Sequence, residues 1–119
     1  MSIILHSKNR TLTVKVMGEL DLVSAHDFRE AVDKAMEETV GLNLIVDLSR
    51  VTFIDSSGLG VLLGRFRKIK AKGGQMVLAG LGPNVRRILE LSGILSFIAV
   101  AVSEAEACRM IEKKSFKGA

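Results

Sequence analysis

A chain of 119 residues with 48% hydrophobic side chains is long enough for one domain with a substantial core, and too apolar for intrinsic disorder. Its net charge is +4, but it contains no Trp or Tyr, so the stacking surfaces of a single-strand nucleic-acid binder are not expected. One cysteine and two histidines predict neither an internal disulfide nor a zinc site.

The apolar and basic segments do not indicate a membrane or nucleic-acid partner. Residues 97–102 are too short an apolar run to span a bilayer, and the N-terminus lacks the cationic and long apolar segments of a signal peptide. Most of the excess positive charge lies between residues 65 and 72, which we interpret as a solvated helix face. We therefore expect a cytoplasmic protein that binds neither membranes nor nucleic acid.

The N-terminal part of the chain predicts a hairpin followed by a helix. Residues 3–7 and 11–18 are rich in β-branched side chains and are separated by a short polar loop, which is typical of two antiparallel strands. The sequence Gly-Glu-Leu-Asp at 18–21 is interpreted as a loop. A helix is expected to begin near Ser24, with Asp27 as its capping-box partner.

The rest of the chain alternates buried strands with amphipathic helices. Strands are predicted over residues 42–48, 75–81 and 96–102, and helices after Ser57-Gly58, after Gly82-Pro83 and after Ser103, the last ending near Lys113. The order β-β-α-β-α-β-α-β-α predicts an α/β fold with a mostly parallel sheet and one antiparallel N-terminal strand. We expect a single domain over residues 1–119, with a core over about 3–113 and a frayed end over 115–119.

Three loops are expected at the carboxyl ends of the parallel strands, where open α/β sheets place their sites. They comprise residues 18–21, 55–58 and 80–84. The first two would bring three acids and two serines to one edge of the sheet. None of the three loops contains Lys, Arg or His.

The motifs of common catalysts are absent from these loops. Neither serine has the Gly-x-Ser-x-Gly setting of a hydrolase, and the sequence has no Gly-x-x-x-x-Gly-Lys-[Ser/Thr] phosphate loop. Gly80 and Gly82 lack the third glycine of a dinucleotide fingerprint, and Asp47 and Asp55 lack the surroundings of a phospho-aspartate receiver. We therefore predict a protein that is not an enzyme and that binds no cofactor or metal.

Ser56 and Ser57 stand where an apolar strand gives way to an amphipathic helix. A serine that caps a helix stabilises it by about 1 kcal/mol. A cap explains one serine but not a second one followed by Gly58. The positive end of a helix is also a good place to carry a phosphate, and small neighbours leave the hydroxyl open to a partner's active site.

Two segments resemble the anti-sigma-factor antagonists, the single-domain members of the sulfate-transporter and anti-sigma-antagonist (STAS) fold group. They are GELD at residues 18–21 and DLSRVTFIDSSGLG at 47–60, and the resemblance extends over nearly the whole chain. With LLGR at 62–65, the second segment looks especially like the sporulation-type antagonist of the forespore anti-sigma factor. The sporulation-type members often carry two histidines where this chain has Leu22 and Val23, so the sporulation and stress-response pathways both stay open.

The resemblance implies a phosphoprotein that switches partners. Ser57 would be the phosphoacceptor of an anti-sigma factor that is itself a serine kinase, and a separate phosphoserine phosphatase would reset it. The unphosphorylated protein would bind the kinase and free the sigma factor, whereas the phosphorylated protein would be released. The implied docking surface and acceptor loop comprise Glu19, Asp21, Asp55, Ser56, Gly58 and Gly60. Ser56 then keeps the capping role.

Two other functions would use the same edge of the sheet. A sensor of a nucleotide or another small ligand would need a cationic anchor, which the three loops lack. An accessory subunit of a lipid transporter would need a transporter partner, and the same fold group contains such domains.

Overall fold

A computed structural model describes residues 2–117 of the chain. The strands are β1 (Ser2–Lys8), β2 (Thr11–Leu20), β3 (Asn43–Ile54), β4 (Met76–Ala79) and β5 (Ala99–Ala101). The helices are α1 (Leu22–Glu38), α2 (Ser56–Ala71), α3 (Pro83–Ser92) and α4 (Glu104–Lys117), and a 3-10 helix covers Ile94–Ser96. The predicted order of strands and helices is confirmed, with the 3-10 helix added before β5.

The five strands form one sheet in the order β1-β2-β3-β4-β5. β1 is antiparallel to β2, and the remaining neighbours are parallel, as predicted. The hairpin loop consists of Asn9 and Arg10, which both adopt positive φ angles of 49° and 60°. Such angles at both loop residues match the twist of the flanking strands.

The helices cover the two faces of the sheet unequally. Helices α1, α2 and α3 pack on one face, around a large core that includes Phe28, Leu62 and Leu89. Helix α4 covers the other face with a smaller cluster that includes Ile45 and Ile111. Since successive crossovers return on the same face, α1 and α2 lie side by side with their N-termini at the same edge of the sheet.

Strands β2 and β3 are longer than the sequence predicts. β4 pairs only with residues 44–47 of β3, but β2 continues to pair with β3 as far as Leu20 and Ile54. Gly18 was expected to begin a loop. It instead adopts a φ of 97° beside a register shift, so the strand bends and continues. Residues 18–20 and 51–54 therefore form a two-stranded segment, here called the β2–β3 extension.

Other predicted boundaries also differ from the structure, and β4 covers only Met76–Ala79 of the predicted residues 75–81. Residues 96–102 were expected to form a strand, but Gly93 has a φ of 85° and begins a 3-10 helix, so β5 is confined to Ala99–Ala101. Helix α4 is capped as expected, because the Ser103 hydroxyl accepts a hydrogen bond from the Glu106 N–H at 3.2 Å. It runs to Lys117; Gly118 and Ala119 lie outside the described residues, so the frayed end stays a prediction.

Within residues 2–117, no helix combines the length and the apolar composition that a bilayer crossing requires.

Candidate functional site

The β2–β3 extension places the starts of α1 and α2 next to each other. Its last paired residues are Glu19 opposite Phe53 and Leu20 opposite Ile54. The Asp55 N–H then donates a hydrogen bond to the Leu20 carbonyl at 3.3 Å, which prolongs the pairing by one residue. Each of the two strands is followed at once by a helix, so the N-termini of α1 and α2 lie at the same edge of the sheet.

Each of these helices is capped by an aspartate. Asp21 Oδ1 accepts hydrogen bonds from the Val23 and Ser24 N–H groups, both at 3.1 Å, and the Ser24 hydroxyl accepts one from the Asp21 N–H at 2.8 Å. The hydrogen bonds from the Ser24 N–H and hydroxyl hold the pKa of Asp21 below its usual value. Asp55 Oδ1 accepts the Gly58 N–H at 3.0 Å.

The predicted caps of both helices are therefore wrong. Ser24 is the third residue of α1 rather than its cap, and Asp27 takes no part in the capping box. Asp55, not Ser56, caps α2. A carboxylate carries a full negative charge to the positive end of a helix, which makes it a stronger acceptor than a hydroxyl.

Neither serine is needed to start α2. Ser56 is exposed and Ser57 is half-buried, and both occupy the first turn, where backbone N–H groups are free of helical partners. Ser57 therefore combines accessibility with a position at the positive helix end. The structure places Asp55 beneath it as the cap, and places Glu19 exposed at the end of the neighbouring strand.

The two glycines of the predicted acceptor loop have different surroundings. A Cβ on Gly58 would collide with the Leu20 carbonyl oxygen and with the side chains of Leu20 and Ile54. Gly60 is exposed, and a Cβ there would have no atom within 4 Å. Gly58 thus lets α2 approach the β2–β3 extension closely, whereas Gly60 has no packing constraint.

The third predicted loop also reaches this edge. The Asn84 side chain donates a hydrogen bond from Nδ2 to the Thr52 carbonyl at 3.0 Å. Apolar side chains lie near the two helix starts as well. Leu22 is 71% exposed, Val23 is 66% exposed and Phe53 is 45% exposed. Exposed apolar side chains with polar groups around them are typical of a protein-binding surface.

Ser57 opens onto a groove between α1 and α2 with a volume of about 530 Å³. The residues that line this α1–α2 groove are Leu22, Ala25, His26, Arg29, Ser57, Gly60, Val61 and Arg65. This groove was not predicted from the sequence. The signal was present as helical spacing on both segments, but only the packing of α1 against α2 joins the two faces.

Arg65 does not lie on the solvated basic face predicted for α2. Arg67, Lys68, Lys70 and Lys72 are exposed, but Arg65 is only 6% exposed, because it faces α1. Its Nε lies 3.4 Å from Oδ1 of Asp33. The pair links the two helices.

Asp47, which was considered above as the phosphate acceptor of a receiver-type domain, does not line the α1–α2 groove. It is buried, and its Oδ1 accepts the Ser49 N–H at 2.9 Å. Burial opposes its ionisation, but hydrogen bonds from Glu104 and Ser49 together with the charge of Lys15, 3.7 Å away, lower its pKa. The hydrogen bond shared with Asp47, followed by burial, raises the pKa of Glu104. Asp47 is thus held within a polar cluster of its own.

The acids at the edge do not make a metal site. Over residues 2–117, no three His, Cys, Asp or Glu side chains are grouped closely enough to hold an ion. What the site offers is a hydroxyl at a helix start, two capping carboxylates, exposed apolar side chains and a groove with cationic walls.

A small α/β domain with one antiparallel strand, a parallel sheet and a serine at the start of α2 is thereby defined. The chain matches the STAS domain family over residues 2–107. It belongs to that family, as the resemblance predicted.

Relatives and solved structures support the same placement. The chain is similar to the anti-sigma F factor antagonist of Paenibacillus polymyxa, with 35% identity over 101 residues that cover 85% of this chain and 86% of the relative. It is 32% identical over 95 residues to the anti-sigma-B factor antagonist of Listeria monocytogenes, which covers 80% and 82% of the two chains.

The fold is also similar to SpoIIAA, an anti-sigma factor antagonist. Its unphosphorylated form superposes with a TM-score of 0.83 and 28% identity, over 94% of this chain and 97% of that chain. The phosphorylated form, from Bacillus, superposes with a TM-score of 0.74 and 26% identity, over 92% and 99%.

Gly58→Ala is expected to destabilise the protein by about 1–3 kcal/mol, because the added methyl overpacks α2 against the Leu20 carbonyl. Gly60→Ala is the matched control on the same helix. It should stabilise the protein by about 0.5–1 kcal/mol, since Gly is a poor helix former and the site is open. Urea unfolding of the two variants measures both changes. Equal stability of the two variants would contradict the packing role of Gly58.

Asp55→Ala is expected to cost about 1 kcal/mol of stability, because the Gly58 N–H loses its acceptor. Ser56→Ala should change stability by less than about 0.5 kcal/mol, since Ser56 is exposed and does not cap α2. Thermal unfolding compares the two. A larger loss in Ser56→Ala than in Asp55→Ala would return the capping role to the serine.

Proposed function

We propose that this protein is an anti-sigma-factor antagonist, and that phosphorylation of Ser57 controls its binding to an anti-sigma factor serine kinase. The observation that carries the proposal is the position of Ser57, an accessible hydroxyl at the start of α2 whose helix is already capped by Asp55. The names of its relatives, antagonists of anti-sigma F and anti-sigma-B factors, agree with this function.

The docking surface surrounds Ser57. Glu19, Asp21 and Asp55 supply negative charge, and the exposed side chains of Leu22 and Phe53 supply apolar contact area. Interfaces that combine an apolar centre with charged groups gain affinity from the first and orientation from the second. Gly60 has no side chain and lies exposed beside Ser57, which leaves room for the partner's active site.

Phosphorylation would break this interface without refolding the protein. A phosphate adds about −1.5 to −2 charges at pH 7. The N-terminus of α2 stabilises that charge in the free protein. In a complex whose partner surface fits a neutral hydroxyl, the phosphate adds bulk and a desolvation cost. It is also repelled by Glu19, Asp21 and Asp55 of the docking surface. A loss of about 3 kcal/mol would weaken binding roughly a hundredfold.

The switch requires further partners. The unphosphorylated protein occupies the anti-sigma factor and thereby frees the sigma factor, and a phosphoserine phosphatase regenerates this form. The relatives include antagonists from both the sigma F and the sigma B systems, so sporulation and stress response both fit. In either system the protein acts by binding and carries no catalytic step of its own.

A sensor of a phosphorylated small ligand is the second candidate, because one observation favours it. The loops at the carboxyl edge lack a cation, but the α1–α2 groove supplies Arg29 and Arg65 beside Ser57. Such cations are the anchor that a ligand of this class needs.

Ser57→Ala should fold normally, resist phosphorylation and stay bound to its kinase after ATP is added, because the hydroxyl is the acceptor. Ser56→Ala is the matched control and should be labelled and released like the natural protein. In both, phosphorylation should lower the affinity for the kinase roughly a hundredfold. The kinase is captured from the source cytosol on the immobilised full chain, incubated with ATP, and the labelled residue is mapped by mass spectrometry.

Two results would count against the proposal. Label on Ser56 would overturn the assignment of the acceptor residue. Failure to capture any ATP-binding protein that labels the chain would overturn the function.

A further inference from the structure

Arg65 brings buried hydrogen-bond donors without acceptors to the α1–α2 groove. Its Nε and Nη1 are buried and make no hydrogen bond with the part of the chain that the structure describes. The contact with Asp33 at 3.4 Å is an ion pair without hydrogen-bond geometry, since Asp33 Oδ1 is unsatisfied as well. Buried guanidinium donors are normally paired, so Nε and Nη1 of Arg65 are available to donate hydrogen bonds to an anion bound in the groove.

The register of the two helices places Ser57 in the same groove as Arg65, about 12 Å before it along the axis of α2. α1 and α2 each follow a parallel strand on the same face of the sheet, so they run in the same direction. The Asp33–Arg65 pair fixes one point of the alignment. Since a helix repeats about every 3.6 residues, two turns back from that pair His26 lies opposite Ser57, and Arg29 lies between. All four residues other than Asp33 line the groove.

Charge in the groove is positive once its internal pairs are counted. Arg29 is exposed and has no carboxylate within 4.0 Å among residues 2–117. Arg65 is paired with Asp33, and His26 Nε2 lies 2.6 Å from Glu30 Oε1. The first turn of α2 adds backbone N–H groups beside Ser57, of which that of Gly58 is already accepted by Asp55.

We propose that the α1–α2 groove is a binding site for a phosphate monoester, and that the phosphate carried by Ser57 occupies it, held by Arg29 and by the buried guanidinium of Arg65. Guanidinium groups match the geometry of phosphate oxygens, and helix side chains incline toward the N-terminus, which directs Arg65 along the groove toward Ser57. The volume of about 530 Å³ admits the phosphate without separating the helices.

The site deepens the proposed function, on which the origin of the phosphate rests. A phosphate drawn into the groove would leave the partner's contact surface altered in two ways: the hydroxyl is lost, and the groove beside Leu22 and Gly60 is filled. Release would then follow from the lost hydroxyl and the filled groove rather than from charge repulsion alone.

The test uses the full chain with phosphoserine incorporated genetically at position 57, so that no kinase is needed. ³¹P NMR follows the second ionisation of the phosphate, whose pKa is about 6 in an unperturbed phosphoserine. Nearby cations favour the dianion, so we expect a lower pKa in this protein. Arg29→Gln and Arg65→Gln should each raise it, and Arg29→Lys should restore part of the shift. Arg67→Gln, an exposed residue outside the groove with the same charge change, should leave it unaltered.

The outcomes separate the site from its occupant and from the proposed function. If the pKa is the same in Arg29→Gln as in Arg67→Gln, the phosphate on Ser57 is not held in the groove and the proposal is wrong. Arg29 is exposed, so this comparison survives even if Arg65→Gln unfolds. A different result would overturn the assigned occupant and favour a free ligand. In that case the unmodified protein binds inorganic phosphate and Arg29→Gln abolishes this binding, but Arg29→Gln leaves the pKa of phosphoserine 57 unchanged. A lowered pKa in a protein that no kinase labels would support the site and contradict the function.

Discussion

The candidate site depends on one close contact, between the end of β2 and the start of α2. The Leu20 carbonyl accepts the Asp55 N–H and at the same time lies against Gly58, where no side chain would fit. This contact brings the acceptor turn down onto the β2–β3 extension. The position of Ser57, the approach of α1 to α2 and the groove between them all follow from it.

At this edge the aspartates stabilise the fold, whereas the serines are available for function. Asp21 and Asp55 satisfy the free N–H groups of two helix starts, which a hydroxyl would do less strongly. Ser56 and Ser57 are therefore not needed to cap α2. A modification of Ser57 can then change the surface without removing a cap, which is a physical requirement for a switch that leaves the fold intact.

Local patterns were sufficient to predict the order of the elements. The alternation of β-branched segments with apolar helical stripes gave the parallel sheet, the hairpin at Asn9 and Arg10, and the Ser103 cap. The end of β2 was not predictable in this way, because Gly18 has the appearance of a terminator and is a bend within a strand. The same sequence reasoning chose Ser56 as the cap, because serine and aspartate are both good caps and their neighbours did not discriminate between them.

The groove could not be predicted from the sequence, because it exists only through the packing of two helices. Residues 22–29 of α1 and 57–65 of α2 each have an ordinary helical pattern. Arg65 sits among basic residues that are solvated, and only the Asp33 contact shows that it faces inward. The family and the acceptor motif, in contrast, are carried by contiguous residues, which is why the resemblance already indicated them.

The central claim is that Ser57 is modified on a rigid framework, so that the switch is local. Amide ¹H–¹⁵N spectra of the protein with serine and with phosphoserine at position 57 test it most directly. The account predicts shift changes confined to residues 22–33 of α1, residues 56–65 of α2 and the neighbouring end of β3. Widespread changes in β4, β5 and α4, which lie away from the groove, would show refolding and would contradict it.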